Sequence, residues 1–487
     1  MPAIITNKFR VHNSEQFRES FSEAAPNTYY LGIGRPQAFT TATRGDGRTE
    51  NEGTDASPIT PTDTENTQNF TYNDMLAAKK IDTGNISIVI PRRNWTTGTI
   101  YDYYRHDYGE YLTGTTNSNN ANSGATTLFD ATFYVLTAAR NVYKCLDNNG
   151  NAQSTVEPTG TSTSILSLAD GYKWKFMYTL SAAQQANFLS TDFMAVETNS
   201  SVSSAAIDGA INIVKIKTAG SGGTDGTFTN VPIRGDGSNG AATIVVSSGA
   251  VTSVTVTNAG TGYTFGTISN AQIVSAGSTN LVGAELDCII EPKGGHGKNA
   301  VEELGGFFIM LNTSLEGTES ANTGDVTVAN DFRKVALIKD PTSGGSASTS
   351  TTMRATKAIK LTGTSGTFAA DEKITQSGTN AVGKVVEWDS TNKILFYIQT
   401  RFSNEGVDAN GNKTAFSAGN TITGATSSAT GTPDTSHTAT TNNVVFSSGY
   451  SSAEIDAGSG QILYVENRAP ITRAADQTEN IKLIVEF

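Results

Sequence analysis

The final stretch of the chain, Gln461 to Phe487, constrains the fold more than any other: it reads QILYVENRAPITRAADQTENIKLIVEF. Ile481, Leu483 and Val485 alternate with Lys482, Ile484 and Glu486, close to the period of two expected of a half-buried strand. A terminal strand is ordered only when it pairs within a sheet, so the chain is expected to finish inside a fold rather than in a tail. Just before it, Glu466, Asn467, Arg468, Arg473, Asp476, Gln477 and Glu479 crowd both charge signs around Pro470. That composition suits a fixed loop in which guanidinium groups meet carboxylates and carbonyls, or a solvated turn before an edge strand.

Composition points the same way. Of 487 residues only 37% are hydrophobic and 16% charged, while Gly reaches 48 copies among much Thr, Ser and Asn, which favours strands and turns over long helices. The length allows about three domains, or fewer in a large β-rich chain. A net charge of -12 with no long basic run works against a nucleic-acid partner, because that affinity depends on Lys and Arg neutralising phosphates. Cys145 and Cys288 permit one disulfide at most and read as two buried thiols. The opening MPAIITNKFR lacks the succession of a secretory signal, and no apolar run is long enough for a membrane span, so assembly in the cytoplasm without membrane insertion is expected.

Along the chain, Asn13 with Gln16 reads as the start of a first helix carrying Phe17 and Phe21 on one face. Thr28 to Ile33 reads as a buried strand broken by Gly34-Arg35-Pro36, and Thr40 to Asn69 as a long surface loop or docking arm. Asn73 to Lys80 reads as a short helix and Ile86 to Ile90 as a strand. Tyr101, Tyr103, Tyr104 and Tyr108 around Arg105 and His106 suit either a contact surface or a core with a polar rim. Phe133 to Leu136 and Asn141 to Leu146 form a hairpin pair. Tyr172, Trp174, Phe176 and Tyr178 alternate with Lys173, Lys175, Met177 and Thr179, a strand with its aromatic face inward, and Ser181 with Gln184 marks a helix start.

Two stretches repeat themselves. At an offset of 40 residues, Val214, Ile216, Ala219, Gly220, Gly222, Thr224, Gly226 and Thr227 correspond to Val254, Val256, Ala259, Gly260, Gly262, Thr264, Gly266 and Thr267. At an offset of 48, Phe368, Ile374, Thr375, Ala381 and Gly383 correspond to Phe416, Ile422, Thr423, Ala429 and Gly431. The first pair implies a compact β module in which two similar units complete one core, and the second a small barrel or sandwich.

Catalytic and metal patterns are thin. His296 followed by Glu302 and Glu303 has neither the spacing of a zinc motif nor a second nearby histidine, so a Gly-rich turn entering a buried strand is preferred. Gly32-Ile33-Gly34 lacks a third glycine and runs into Pro36, which removes a phosphate-cradling reading. Asp408, Asn410 and Asn412 lack the closing acid of a calcium loop and read as a turn. The tripeptides Arg44-Gly45-Asp46 and Arg234-Gly235-Asp236 are too short to imply a receptor, and carboxylate pairs for glycan hydrolysis are a spatial rather than a sequence property.

The cassette Glu466-Asn467-Arg468, Pro470-Ile471 and Asp476-Gln477-Thr478-Glu479 resembles the baseplate wedge subunit of T-even-like contractile-tailed bacteriophages, a family whose chains end in an ENRxPI…DQTE segment before a terminal strand. Colinear pieces extend the likeness: Thr6-Asn7-Lys8-Phe9-Arg10, Gly34-Arg35, Ile90-Pro91-Arg92-Arg93-Asn94-Trp95, Val142 to Asp147, Glu157-Pro158, Asp170-Gly171-Tyr172-Lys173-Trp174 and Phe332-Arg333. Together they cover roughly half of the chain, and the repeated stretches near 207–290 and 343–440 have no counterpart in it.

The resemblance implies a mainly β fold: a β-sandwich core with a few short helices and α+β decoration, plus two small inserted β modules. The expected division is a core over 1–206, a duplicated module over 207–292, core strands over 293–342, a barrel or sandwich module over 343–440, and a core-completing segment over 441–487. It further implies a non-enzymatic homodimer without cofactor or metal in the tail baseplate of a virion, joining other wedge proteins to those that carry fibres or spikes and shifting some contacts when the sheath contracts. Arg92, Arg93, Trp95, Tyr172, Trp174, Glu466, Asn467, Arg468, Pro470, Arg473, Asp476, Gln477 and Glu479 are the residues it singles out, with the four arginines as ionic anchors. The competing reading is a glycan- or host-surface-binding spike or adhesin, with or without hydrolase activity, since Thr/Gly-rich β modules occur there as well.

Overall fold

The computed structural model describes residues 4–23, 27–39, 41, 51–110, 120–317, 326–328, 330–399, 406–410, 412–417, 419–474 and 478–487. Strands account for 41% and helices for 11% of it, so the chain is mainly β, with six short α-helices among the described residues. None of those helices is long and apolar enough to cross a membrane. Two compact units emerge, one from residues 1–18, 87–310 and 484–487, the other from residues 19–86 and 311–483.

In the first unit, the hairpin Tyr134–Leu136 and Asn141–Asp147 continues into Lys173–Thr179 and Leu166–Ser167 as one antiparallel sheet, with Cys145 opposite Trp174. Aromatic groups fill its core: Tyr101, Tyr143, Tyr172, Trp174 and Phe176 are buried with Val135, Cys145 and Val202. Lys173–Thr179 is covered on both faces, not one, since Lys175 and Met177 are buried as well as the alternating aromatics. The expected helix after it is present: Ser181 and Gln184 form a reciprocal capping box on Ala182–Phe188. The first helix spans Asn7–Glu19, so Asn13 lies inside it, and the Thr6 hydroxyl accepts from the Phe9 N–H at its start.

Residues 211–289 of this unit carry their own core of Ile, Val and Leu, including Ile211, Val231, Ile244, Ile268 and Leu286, between two antiparallel sheets. Ile213–Ser221, Val282–Ile289, Gly266–Ser269 and Arg234–Gly235 form one sheet, and Gly226–Pro232, Ala241–Ser247 and Ala250–Asn258 the other. The repeated glycines do the same job in each copy. Gly220 and Gly260 sit at φ +72° and +67°, Gly222 and Gly262 at +75° and +77°, a left-handed backbone that favours glycine.

In the second unit, Thr352–Arg354, Met75–Ile81, Tyr29–Gly34, Phe332–Lys339 and Gln461–Ile471 make a five-stranded antiparallel sheet. The helix expected over Asn73 to Lys80 is instead the end of helix Glu65–Asp74 followed by the strand Met75–Ile81. Pairing on both sides and burial of Met75 and Ala78 against Tyr30, Ala336 and Ile338 override the local helix preference of Met, Leu, Ala and Lys.

Residues 357–433 form a closed six-stranded antiparallel barrel. Its ring runs Ile394–Ile398, Val382–Asp389, Lys373–Gln376, Ile422–Gly424, Thr430–Pro433 and Lys357–Ser365, and the last strand pairs back to the first. Phe368, Ile374, Val385, Tyr397, Phe416 and Ile422 fill the interior. Closure leaves the ring without a free edge.

Candidate assembly interface

The side chains singled out in the sequence fall into three groups. The first follows the strand Ile86–Pro91. The Arg92 guanidinium donates to the Ser190 carbonyl at 2.7 Å and to Asn94 Oδ1 at 2.9 Å. Arg93 donates to the carbonyls of Phe129 and Ala131 and lies 4.8 Å over the Tyr134 ring, while the Trp95 indole donates to Ser154 Oγ at 3.1 Å. These arginines hold loops by their carbonyls, a use for which the planar five-donor fork is well suited. Tyr172 and Trp174 form the second group and lie fully buried, their rings stacked at 5.6 Å. The Tyr172 hydroxyl donates to the Ala152 carbonyl at 2.6 Å, which ties the loop after the hairpin to the aromatic core.

The third group is the C-terminal cassette, in the second unit. Glu466, Asn467, Arg468 and Pro470 lie within the eleven-residue strand Gln461–Ile471 rather than in a loop. This strand stands at the edge of its sheet, where charges on its side chains can stay solvated, so charge density there is compatible with a strand. Glu466 accepts from the Tyr464 hydroxyl at 3.1 Å and lies 3.8 Å from Arg468, and Asn467 donates to the Ile59 carbonyl. Arg473 is the buried member: its Nε donates to Glu479 at 2.6 Å and its Nη1 to the carbonyls of Val326 and Thr327. Asp476 and Gln477 lie outside the described residues.

Two polar clusters carry more buried charge than these groups. In the second unit, Arg333 holds Asp55 through two bonds of 3.0 Å, and Arg333 hydrogen bonding helps to hold the Asp55 carboxyl below its usual range. Asp74 gathers Arg35, Gln37 and Lys334 around one carboxylate. Gly34-Arg35 and Phe332-Arg333 were visible in the sequence as motif fragments, but nothing in the spacing shows that they share a network.

In the first unit, Lys144 is fully buried in its strand, with Nζ 2.8 Å from Glu303 Oε2, 2.9 Å from His296 Nδ1 and 4.1 Å over the Tyr104 ring. Burial alone pushes the Glu303 carboxyl up, but the Lys144 charge and the hydrogen bond from Lys144 Nζ bring it down to about 2. Burial also pulls the Lys144 ammonium down against the attraction of Glu303, and the short contact is that of an ionised pair. Burial keeps the His296 imidazole neutral below its ordinary range, with the nearby Glu291 charge opposing, so Nδ1 accepts from Lys144. Glu291 accepts from the His296 backbone N–H and from the Asn212 side chain. Asn212 immediately precedes the first strand of the 211–289 region and Glu291 follows its last, so this cluster clasps both ends of that region.

The tyrosine-rich segment supports the same junction. Tyr101 and Tyr104 are core, whereas Arg105 reaches Asp107 and Asp287 at 2.8 Å, and His106 Nδ1 accepts from the Ile290 N–H. Cys145 and Cys288 are buried as free thiols, and burial pushes both above the ordinary thiol range. Among the described residues no group of three or more His, Cys, Asp or Glu side chains is placed to hold a metal ion.

No curated protein matches the sequence. The model of the family Phage-Gp8, described as Bacteriophage T4, Gp8, matches residues 3–149 and 399–487, just under half of the chain, and leaves 150–398 unmatched. The matched stretches contain Arg92, Arg93, Trp95, Lys144 and the whole C-terminal cassette, whereas Tyr172, Trp174, His296 and Glu303 lie outside them. At both of its ends the chain is similar to the phage Gp8 family, and that similarity supports a structural component of a phage baseplate wedge, carried in the virion.

Proposed function

We propose that the chain is a non-catalytic, homodimeric connector of a contractile-tail baseplate wedge, made and assembled in the host cytoplasm, which joins other wedge proteins to those bearing fibres or spikes. The observation that carries this reading is the union of the two family-like ends. Arg10 donates to the Phe487 carbonyl and pairs with Glu486, and Asn467 donates to the Ile59 carbonyl, so the matched segments build common structure although 249 unmatched residues, 150–398, separate them. Such a protomer works through stable contact surfaces rather than a reacting centre. The regions 207–292 and 343–440 serve as β modules on that scaffold, the second overlapping the matched stretch from 399 onward, and Arg92, Arg93, Arg468 and Arg473 fix the loops and edges that face partners.

Light scattering on the eluted recombinant chain, alone and mixed with wedge proteins of the same phage, tests the reading. A dimer that enters a larger complex is expected, and Arg93→Glu or Arg468→Glu should weaken that entry while the fold persists. A monomer or trimer indifferent to those proteins would sink the connector role and favour a glycan-binding spike.

A further inference from the structure

Asparagine followed by glycine occurs three times in the chain, at Asn149-Gly150, Asn239-Gly240 and Asn410-Gly411. A glycine in that place leaves its backbone nitrogen unshielded by any Cβ, so the nitrogen can approach the side-chain amide carbon of the asparagine before it. Gly411 lies outside the described residues, and the other two pairs both belong to the first unit. Asn149 and Asn239 are alike in themselves: each is exposed and stands in a turn with a left-handed backbone, φ +51° and +64°.

The glycines that follow them are not alike. Gly240 is buried: its N–H donates to the Tyr263 hydroxyl at 3.1 Å and its carbonyl accepts from the Ile233 N–H at 2.9 Å. A Cβ placed on it would stand 2.7 Å from Tyr263 Oη and 2.9 Å from Ile233 Cβ, so the nitrogen has no room to swing. Gly150 is exposed, and its N–H has no hydrogen-bond partner among the described residues. Beyond its chain neighbours nothing lies within 4 Å of where its Cβ would be. The Asn149 side chain beside it is held by one surface hydrogen bond, from Nδ2 to the Asp170 carbonyl at 3.1 Å.

We propose that Asn149 is a site of spontaneous deamidation in the folded protein and that the fold protects Asn239 from the same reaction. The Gly150 amide proton passes to solvent hydroxide and the nitrogen bonds to Asn149 Cγ. The Cγ–Nδ2 bond then breaks, and the departing nitrogen takes a proton from water, leaves as ammonia and regenerates the hydroxide. Water opens the cyclic imide at either carbonyl, giving aspartate or isoaspartate. The product lacks the Nδ2 donor to the Asp170 carbonyl and sets a new carboxylate beside Asp147, whose Oδ1 already takes the Asn149 N–H and the Lys215 ammonium. Conversion therefore loosens this turn as the protein ages, and the inference is independent of the connector reading.

The test holds the full chain in mildly alkaline buffer, folded and in denaturing urea, and follows both asparagines by digestion and mass spectrometry. In the folded chain conversion at Asn149 is expected to run at least about fivefold faster than at Asn239, since attack by the Gly240 nitrogen must take from the buried Tyr263 hydroxyl the N–H it accepts. In urea the two sites should convert alike. Tyr263→Phe, which frees the Gly240 N–H, should raise conversion at Asn239 and leave Asn149 unchanged while far-ultraviolet circular dichroism stays the same. Equal rates in the folded chain overturn the proposal, and so does an unchanged Asn149 in a folded chain whose urea-unfolded form converts. A difference that persists in urea would trace the selectivity to neighbouring residues rather than to the fold, and overturns it as well.

Discussion

The two repeated regions began from the same kind of sequence signal and reached different solutions. In residues 357–433 the copies meet edge to edge: Thr375 pairs with Thr423, its own counterpart, so a local two-fold axis passes between them. Ile374 pairs with Gly383 in one copy and Ile422 with Gly431 in the other, the same register displaced by the repeat. In residues 211–289 the copies Ile213–Ser221 and Ala250–Asn258 belong to different sheets and lie against each other, the first paired to Val282–Ile289 and the second to Ala241–Ser247. A duplication thus dictates local conformation, as the matched left-handed glycines show, but not how the copies meet. The attachments differ too. The 211–289 region is clasped by Lys144, Glu303, His296 and Glu291, all buried, whereas the barrel is flanked by Arg354 and Glu454, whose side chain is 44% exposed.

The attachments offer the sharpest way to break the comparison. Glu303→Gln leaves the Lys144 ammonium buried without its counter-charge and should cost about 3–5 kcal/mol. Glu454→Gln removes a solvent-screened partner 3.8 Å from Arg354 and should cost no more than about 1 kcal/mol. Urea unfolding followed by amide exchange separates the two regions, which a single global midpoint would not. Equal losses would remove the distinction between a buried clasp and an exposed one.

Packing gives the next largest effect. Ile374→Ala and Ile422→Ala each remove a fully buried side chain from equivalent places in the barrel and should cost about 3 kcal/mol apiece, alike within about 0.5. Val214→Ala and Val254→Ala should differ from each other, because Val214 belongs to the buried core and Val254 only packs against it from a partly exposed position. Thermal unfolding of the four variants measures both differences. Unequal barrel variants would deny the two-fold relation.

Much of this was legible in the chain. Both repeats, the terminal strand, the Tyr134 to Asp147 hairpin and the Ser181 capping box are local patterns, and local patterns survive folding. The failures have identifiable causes. Asn73 to Lys80 reads as helix from its own residues, yet Met75–Ile81 is a strand because two neighbours pair with it. The ENR segment reads as a loop because its charges obscure the strand pattern, although an edge strand tolerates them. The Lys144 cluster could not be read at all: its partners lie near 291–303, and a lysine inside a strand normally marks the solvent face. Of the residues singled out beforehand, the structure brings Glu466 to Arg468 and Arg473 to Glu479, while Arg92 and Arg93 hold backbone carbonyls.

Backbone conformation sharpens the comparison within the first repeat. Gly260 and Gly262 both have positive φ, yet a Cβ on Gly260 would stand 2.5 Å from the Ser238 carbonyl oxygen, while one on Gly262 would meet nothing within 4 Å. Gly262→Ala should therefore cost about 1 kcal/mol, the penalty of the left-handed backbone alone, and Gly260→Ala about 2–3 kcal/mol. Denaturation midpoints decide it, and equal costs would mean that the turn at Gly260 yields without strain.

The smallest expected effect is a dependence on pH, and it too divides the two regions, since no histidine lies between 357 and 433. Burial lowers the His296 pKa from its ordinary 6.5, so in acid the unfolded chain takes up a proton there before the folded chain does. The stability of the 211–289 attachment is therefore full above pH 6.5 and falls as the pH drops below it, by up to about 1.4 kcal/mol per pH unit for one proton. Glu303 adds a second loss in the same direction, beginning near its ordinary 4.5 and complete only near its folded value of about 2. Between pH 7 and 5 the His296 imidazole contributes and Glu303 does not yet, so amide exchange in 211–289 should quicken in that interval before exchange in the barrel does. His296→Gln should flatten this upper part of the profile and leave the lower part, where Glu303 titrates, in place. If exchange in 211–289 stays level from pH 7 to 5 in the unsubstituted chain, His296 is already exposed to protonation, and the buried clasp does not distinguish the two regions in the way proposed.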